Sequence, residues 1–380
     1  MRIEAATEGS AAAPPPSSSR QQREPELDGL RAIAATQVLL FHCLSAVGAT
    51  TEVQHWLITG PPAAVANGAS AVVLFFVLSG YVLAGSFLRD ASALGAGAFL
   101  VRRMLRLYPA FLAALAAAWL VSMIVPHFDD GAGQSAWLRA HAQLRLSAGQ
   151  LLLSALAPGA AYELVPVGWT LRLELIYSLL FPMLMVIALR THVAVLVLPA
   201  ALSLLLTPSR LINYAFPFTV GIAMYACRER IHASDRGVRA IRWPLLLVAA
   251  GGYLLPPTHL WPASRLLGMG LATLGAASLM LLARMPPLAP LLRSPAMVRL
   301  GEISYSLYLL HVPVVLLVAP WLLGGEPAED AATATMRWLL VGVAVLPLTI
   351  VAASFVHRTI ELPGIEAGRR LGRRITALQD

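Results

Sequence analysis

Ionisable side chains are rare in this chain, and the few that interrupt its apolar runs fall into chemically coherent sets. Asp28, Arg31 and His42 come first, Arg102, Arg103 and Arg106 second, Glu174 third and His311 last, with Glu302 and Glu361 at the margins of other runs. A charge held at the middle of a bilayer costs at least ~2.5–3.5 kcal/mol, so such groups are functional candidates by default. Between Arg31 and His42 a helix makes about three turns plus roughly 20°, which puts both on one face about 16 Å apart. Asp28 sits one turn ahead of Arg31 and can pair with it. An imidazole at depth can act as a general base or a nucleophile. The plainer alternatives are a histidine bonded to a neighbouring helix and an Asp28–Arg31 pair snorkelling to the surface. Arg103 and Arg106 share a face and suit phosphate, or, with Arg102, simply anchor a helix end. Glu174 with Tyr177 one turn on, and Ser304, Tyr308 and His311 along another face, form polar stripes. These either serve a site or join helices at ~0.6–2 kcal/mol per bond. No histidine spacing matches a zinc pair, so no metal is expected.

Such groups need a scaffold, and composition says which kind. Of 380 residues, 58% are hydrophobic and 13% charged, with a mean hydropathy of +0.70. Soluble domains carry about 45–50% apolar and about 25% charged residues, so a soluble protein is excluded. Apolar runs recur from residue 28 to residue 357, too many for a signal peptide, which predicts an all-α integral membrane protein. With roughly 20 apolar residues per crossing, the candidate spans are 28–48, 68–88, 104–125, 169–189, 192–207, 211–227, 243–258, 265–283, 303–323 and 335–356, about ten transmembrane helices. Residues 1–25, rich in Ala, Pro, Ser and Gln, read as a disordered cytoplasmic tail. Residues 26–365 form the transmembrane domain and 366–380 a basic cytoplasmic tail. Cys43 and Cys227 both lie in apolar runs and read as packing residues, not a disulfide. No internal repeat is evident.

All 28 cationic side chains are arginine, and the net charge is +8. That excess is scattered over helix ends, as membrane topology requires, so nucleic acid is not an expected partner. With both termini cytoplasmic, 21 arginines fall on the inner side and six on the outer, while Arg31 lies within the first span. The split favours that orientation. The long external loop is then 126–168, with Asp129, Asp130, Trp137, His141, Tyr162 and Glu163 available to an outer ligand.

Several blocks carry a resemblance. Glu26-Leu27-Asp28-Gly29-Leu30-Arg31, followed by His42 at an R-x10-H spacing, is similar to the opening motif of the acyltransferase 3 family of bacterial membrane O-acyltransferases. Leu74–Tyr81 resembles its second-span signature, and Arg103-Met-Leu-Arg106-Leu-Tyr-Pro109 its R-x-x-R motif. Trp169-Thr170-Leu171 with Glu174 and Tyr177 is similar to W-[ST]-L-x-x-E-x-x-[FY]. Ser304-Tyr305-Ser-Leu-Tyr308-Leu-Leu-His311-Val-Pro313 and Arg358-Thr-Ile-Glu361-Leu-Pro363 resemble the closing motifs. The blocks run in order from residue 26 to about residue 370. One position departs: Val73 stands where many members carry an acidic or hydroxyl residue, so no catalytic role falls to the second span.

The resemblance implies transfer of an acyl group, most often acetyl, from cytoplasmic acyl-CoA to a hydroxyl of a cell-envelope or exported glycan, in the bacterial inner membrane. No permanently bound cofactor is expected; acyl-CoA is a co-substrate, and the bilayer and a glycan or glycolipid are the other partners. His42 would be the base or the acyl acceptor, and Arg31, held by Asp28, would position the donor arm or stabilise negative charge. Arg102, Arg103 and Arg106 would hold the CoA phosphates. Glu174 and Tyr177 would orient the acceptor or His42, His311 would donate to the thioester oxygen, and Trp169, Tyr177 and Tyr305 would contact substrate. No extra-cytoplasmic esterase-like domain is expected. A secondary transporter or glycan flippase is the rival with similar spans and buried charges, but repeated halves and paired broken helices are not seen. An inactive envelope scaffold sits poorly with intact Arg31 and His42.

Overall fold

The computed structural model describes residues 24–90, 96–125, 133–142, 144–158, 164–206, 209–233, 235–254 and 265–377. The expected tail over residues 1–23, and Asp129, Asp130, Tyr162 and Glu163 of the long loop, lie outside the described residues. Among those described there is no named strand; the chain is a helical bundle with two isolated bridges. In hydrocarbon every backbone donor and acceptor must be satisfied within its own segment, and helices do this.

The helices that carry the argument are α1 (Pro25–Ala46), α2 (Gly68–Asp90), α3 (Ala96–Ile124), α4 (Ala136–Ala142), α5 (Gly168–Arg190), α6 (Ala194–Leu206), α7 (Ala215–Ala226), α8 (Arg265–Leu282), α9 (Ser304–Leu322), α10 (Ala331–Val356) and α11 (Leu362–Ala377). Among the described residues, six stretches are long and apolar enough to cross a membrane, beginning at Pro25, Pro61, Ala96, Gly168, Ser304 and Ala331. The segments expected at 192–207, 211–227, 243–258 and 265–283 are helical but shorter. They fall on α6 (13 residues), α7 (12 residues), Arg242–Ala249 with the π-helical turn Ala250–Leu254, and α8 (18 residues). Thirteen residues of helix rise about 20 Å, less than the ~30 Å hydrocarbon thickness. Long apolar side chains such as Met123, Leu198, Leu247, Val343 and Phe355 stay exposed on the outer faces, which suits a lipid surround rather than water.

Three features of the packing place the polar groups. First, α9 is buried on nearly every side, and α1 and α10 lie against it. Second, α2 and α7 meet at Gly80 and Gly221. A Cβ added at Gly80 would lie 2.0 Å from the Phe218 carbonyl oxygen, and one at Gly221 2.1 Å from that of Val77. Small residues let helix backbones approach this closely where no hydrophobic force draws them together. Third, α3 begins eight residues before the expected span. Arg102, Arg103 and Arg106 therefore sit within its second and third turns, with Pro109 inside the same helix. The basic stretch after residue 365 is helical to Ala377 and continues from α10 through a π-helical turn, His357–Glu361.

Candidate active site

A cavity of about 650 Å³ opens between α1, α2, α3, α5, α9 and α11, within the usual size of a small-molecule site. Arg31, Arg102, Arg103, Arg106 and Arg369 all reach its wall, together with Glu174 and Tyr305. Arg31 donates to Asp28 Oδ1 at 2.9 Å, across the single turn that the spacing implied. Arg103 is almost fully buried; it donates to Glu174 Oε1 at 2.6 Å and to Ser178 Oγ at 3.2 Å. Buried charge persists only when paired and hydrogen-bonded, and Glu174 with Ser178 meets that requirement. Among the described residues Arg106 pairs with no carboxylate, and its Nε is buried without a hydrogen-bond partner. Tyr305 donates to the Leu107 carbonyl at 2.7 Å, fixing α9 against α3 at the cavity wall. The cavity is thus a cationic chamber with one internal carboxylate already committed.

Tyr308 and Thr170, whose hydroxyls are 2.9 Å apart, and Phe75, whose ring meets Tyr308 edge-on, also line the chamber. One turn beyond Tyr308 on α9 is His311, fully buried, with ring centroids 5.8 Å apart. His311 Nε2 lies 3.1 Å from Nδ1 of His42 on α1. The same His42 Nδ1 is 2.9 Å from the Val38 carbonyl oxygen, which can only accept, so Nδ1 carries the proton and His311 Nε2 accepts from it as well. The Nε2 lone pair of His42 is left for chemistry. On its other flank His42 meets Trp137 of α4 at 5.5 Å between ring centroids, and Trp137 meets His141 at 4.8 Å. His42 is half-buried and does not line the chamber.

The residues singled out from the sequence therefore divide. Arg31, Arg102, Arg103, Arg106, Glu174 and Tyr305 come together around the chamber, and His42 and His311 form a pair one turn of α9 beyond its lining residue Tyr308. Asp28 stays behind Arg31 as its partner. Glu174 meets Arg103 and not His42. Tyr177 and Trp169 do not line the chamber. Tyr177 donates to the Leu211 carbonyl and packs on Phe76 and Phe218, while Trp169 lies under Arg210 and beside Tyr214. Arg369 joins the site from a stretch that sequence reading left as a tail; the one available signal was the four-residue spacing of Gly364, Gly368 and Gly372. Among the described residues, no group of three or more His, Cys, Asp or Glu side chains could hold a metal ion.

Comparison with known proteins points to acyltransferases. The chain is 28% identical over 389 residues to acyltransferase MdmB of Streptomyces mycarofaciens, with 93% of each chain covered. No solved structure matches it. The model of the acyltransferase domain matches residues 24–356, which include the histidine pair and every chamber arginine except Arg369, and the chain belongs to the acyltransferase 3 family, as a membrane acyltransferase.

Proposed function

We propose that the protein moves an acyl group, acetyl by preference, from cytoplasmic acyl-CoA to a hydroxyl of a cell-envelope or exported glycan, in the bacterial inner membrane. The observation that carries this reading is the chamber of five arginines ending one helical turn from the His42–His311 pair. Coenzyme A is a polyanion at one end and a thioester at the other; the chamber arginines suit its phosphates and the His42–His311 pair its thioester. Arg102 and Arg106 take phosphate oxygens, while Arg103, neutralised by Glu174, holds the chamber's shape. The thioester passes the Tyr308–Thr170 contact to reach His42.

A sugar hydroxyl is a weak nucleophile at neutral pH, so its proton must leave as its oxygen attacks. His42 Nε2 takes that proton, the new C–O bond forms, and the C–S bond of the tetrahedral intermediate breaks. The CoA thiolate then takes the proton from His42 Nε2 and leaves as free thiol, returning the imidazole to its starting tautomer. His311, by accepting from Nδ1, orients the ring and steadies the imidazolium formed in passing.

The test is acyl transfer by purified protein in lipid, with radiolabelled acetyl-CoA and glycan fractions from the host, alongside mass analysis of those glycans with and without the gene. The expected result is CoA release coupled to a mass gain of one acyl group, absent in His42→Gln. Acceptor modification that continues without acyl-CoA, or glycan masses unchanged by gene loss, would overturn the reading.

A further inference from the structure

The C-terminal helix α11 lies outside the stretch matched by the family model, yet it forms part of the chamber wall through Ile365 and Arg369. Its position is built in. Gly364, Gly368 and Gly372 recur every four residues and so share one face, and that face lies on α3. A Cβ at Gly364 would come within 2.4 Å of the Leu105 carbonyl oxygen, the acceptor that Pro109 cannot bond because it has no N–H. At Gly368 the nearest atom would be Arg102 Cα, at 3.1 Å. The joint that turns the chain into α11 is also fixed: buried Glu361 accepts from Ser306 of α9 at 2.7 Å and lies 2.9 Å from His357 Nδ1. A helix seated so closely presents Arg369 to the chamber by construction.

Exposure orders the cations along the chamber. The side chain of Arg103 is 10% exposed, that of Arg31 22% and that of Arg369 64%, so Arg369 stands at the opening. Its neighbour Glu366 is shared: that carboxylate accepts from Arg370 at 3.0 Å and pairs with Arg369 at the longer distance of 4.0 Å, leaving a net positive charge on this face. A donor whose thioester points inward to the histidines leaves its far end, the ribose 3′-phosphate, at the opening. We propose that Arg369 binds the 3′-phosphate of coenzyme A and makes the protein select phosphorylated over dephosphorylated donors. This inference rests on the acyl-CoA reading above.

Binding decides it. Purified protein in nanodiscs is titrated with CoA and with dephospho-CoA by calorimetry, for the wild type, Arg369→Ala, Arg369→Gln and Arg374→Ala, the last an exposed arginine of the same helix that does not line the chamber. The wild type and Arg374→Ala should prefer CoA by about tenfold, the size of one partly exposed charge-assisted contact. Both Arg369 variants should lose that preference through weaker CoA binding, with dephospho-CoA affinity unchanged. Equal weakening of both ligands would make α11 a packing element and overturn the assignment. So would an effect present only in nanodiscs with anionic lipid, which would assign Arg369 to a lipid headgroup. Turnover of acetyl-CoA, measured separately, tests the function itself: a wild type that shows the preference without transferring acetyl would sink that reading and leave the Arg369 assignment standing, and one that binds neither ligand would sink both.

Discussion

If His311 acts through His42, its removal should cost catalysis in a way that the geometry sets. In the resting site the His42 Nδ1–H contact to His311 Nε2, at 3.1 Å, is a neutral hydrogen bond, worth about 1 kcal/mol net. When His42 takes the acceptor's proton, the same contact becomes charge-assisted, at about 1.5–3 kcal/mol. Only the difference, about 0.5–2 kcal/mol, lowers the barrier, because a contact equally strong in both states does not. That is about 2–30-fold in kcat. His311→Leu should therefore lose roughly that factor in kcat with little change in the KM for acetyl-CoA, since His311 is buried and does not line the chamber. His311→Gln can place an amide oxygen near the position of Nε2 and should recover part of the loss. His42→Gln cannot accept the proton and should lose at least ~10²-fold. In the double variant His42→Gln/His311→Leu, turnover should be no lower than in His42→Gln alone, because the two act as a unit. The assay is CoA release by protein matched for abundance and melting temperature. A His311→Leu enzyme within twofold of wild type, or losses that multiply in the double variant, would refute the reasoning.

Three further outcomes are expected. Glu174→Ala strands the buried Arg103 guanidinium and should destabilise the protein by about 3 kcal/mol, read as a lower melting temperature; adding Arg103→Met should restore stability. A Glu174→Ala protein that melts with the wild type would contradict the pairing. Gly80→Ala and Gly221→Ala place a methyl about 2 Å from a facing carbonyl, so each should sharply reduce membrane abundance, whereas Gly149→Ala, where a Cβ meets nothing within 4 Å, should not; equal abundance of all three would disprove the close α2–α7 contact. A reporter active only in the periplasm, fused after Glu329, should be active and one fused after Arg236 silent; the reverse pattern would place the arginine chamber on the wrong side for CoA.

Much of this protein was legible in its order of residues alone. Apolar runs of span length announce membrane helices because a bilayer leaves the backbone no other way to satisfy its polar groups. Helical periodicity fixes which side chains share a face, so the Asp28–Arg31 contact and the shared face of Arg103 and Arg106 needed no tertiary information. The ordered motifs pointed to an acyltransferase, as the family match shows. Periodicity within one helix, however, is silent about what lies across from it. That Glu174 meets Arg103, that His42 and His311 touch, and that Tyr177 turns away to the Leu211 carbonyl are outcomes of interhelical register. Register is set by where glycines such as Gly80 and Gly364 permit close approach and by where prolines such as Pro109 leave a carbonyl unbonded. The recruitment of Arg369 is the sharpest case. Its helix is strongly basic and reads locally as a solvated tail, and only the fit of its glycine face onto α3 makes it part of the site.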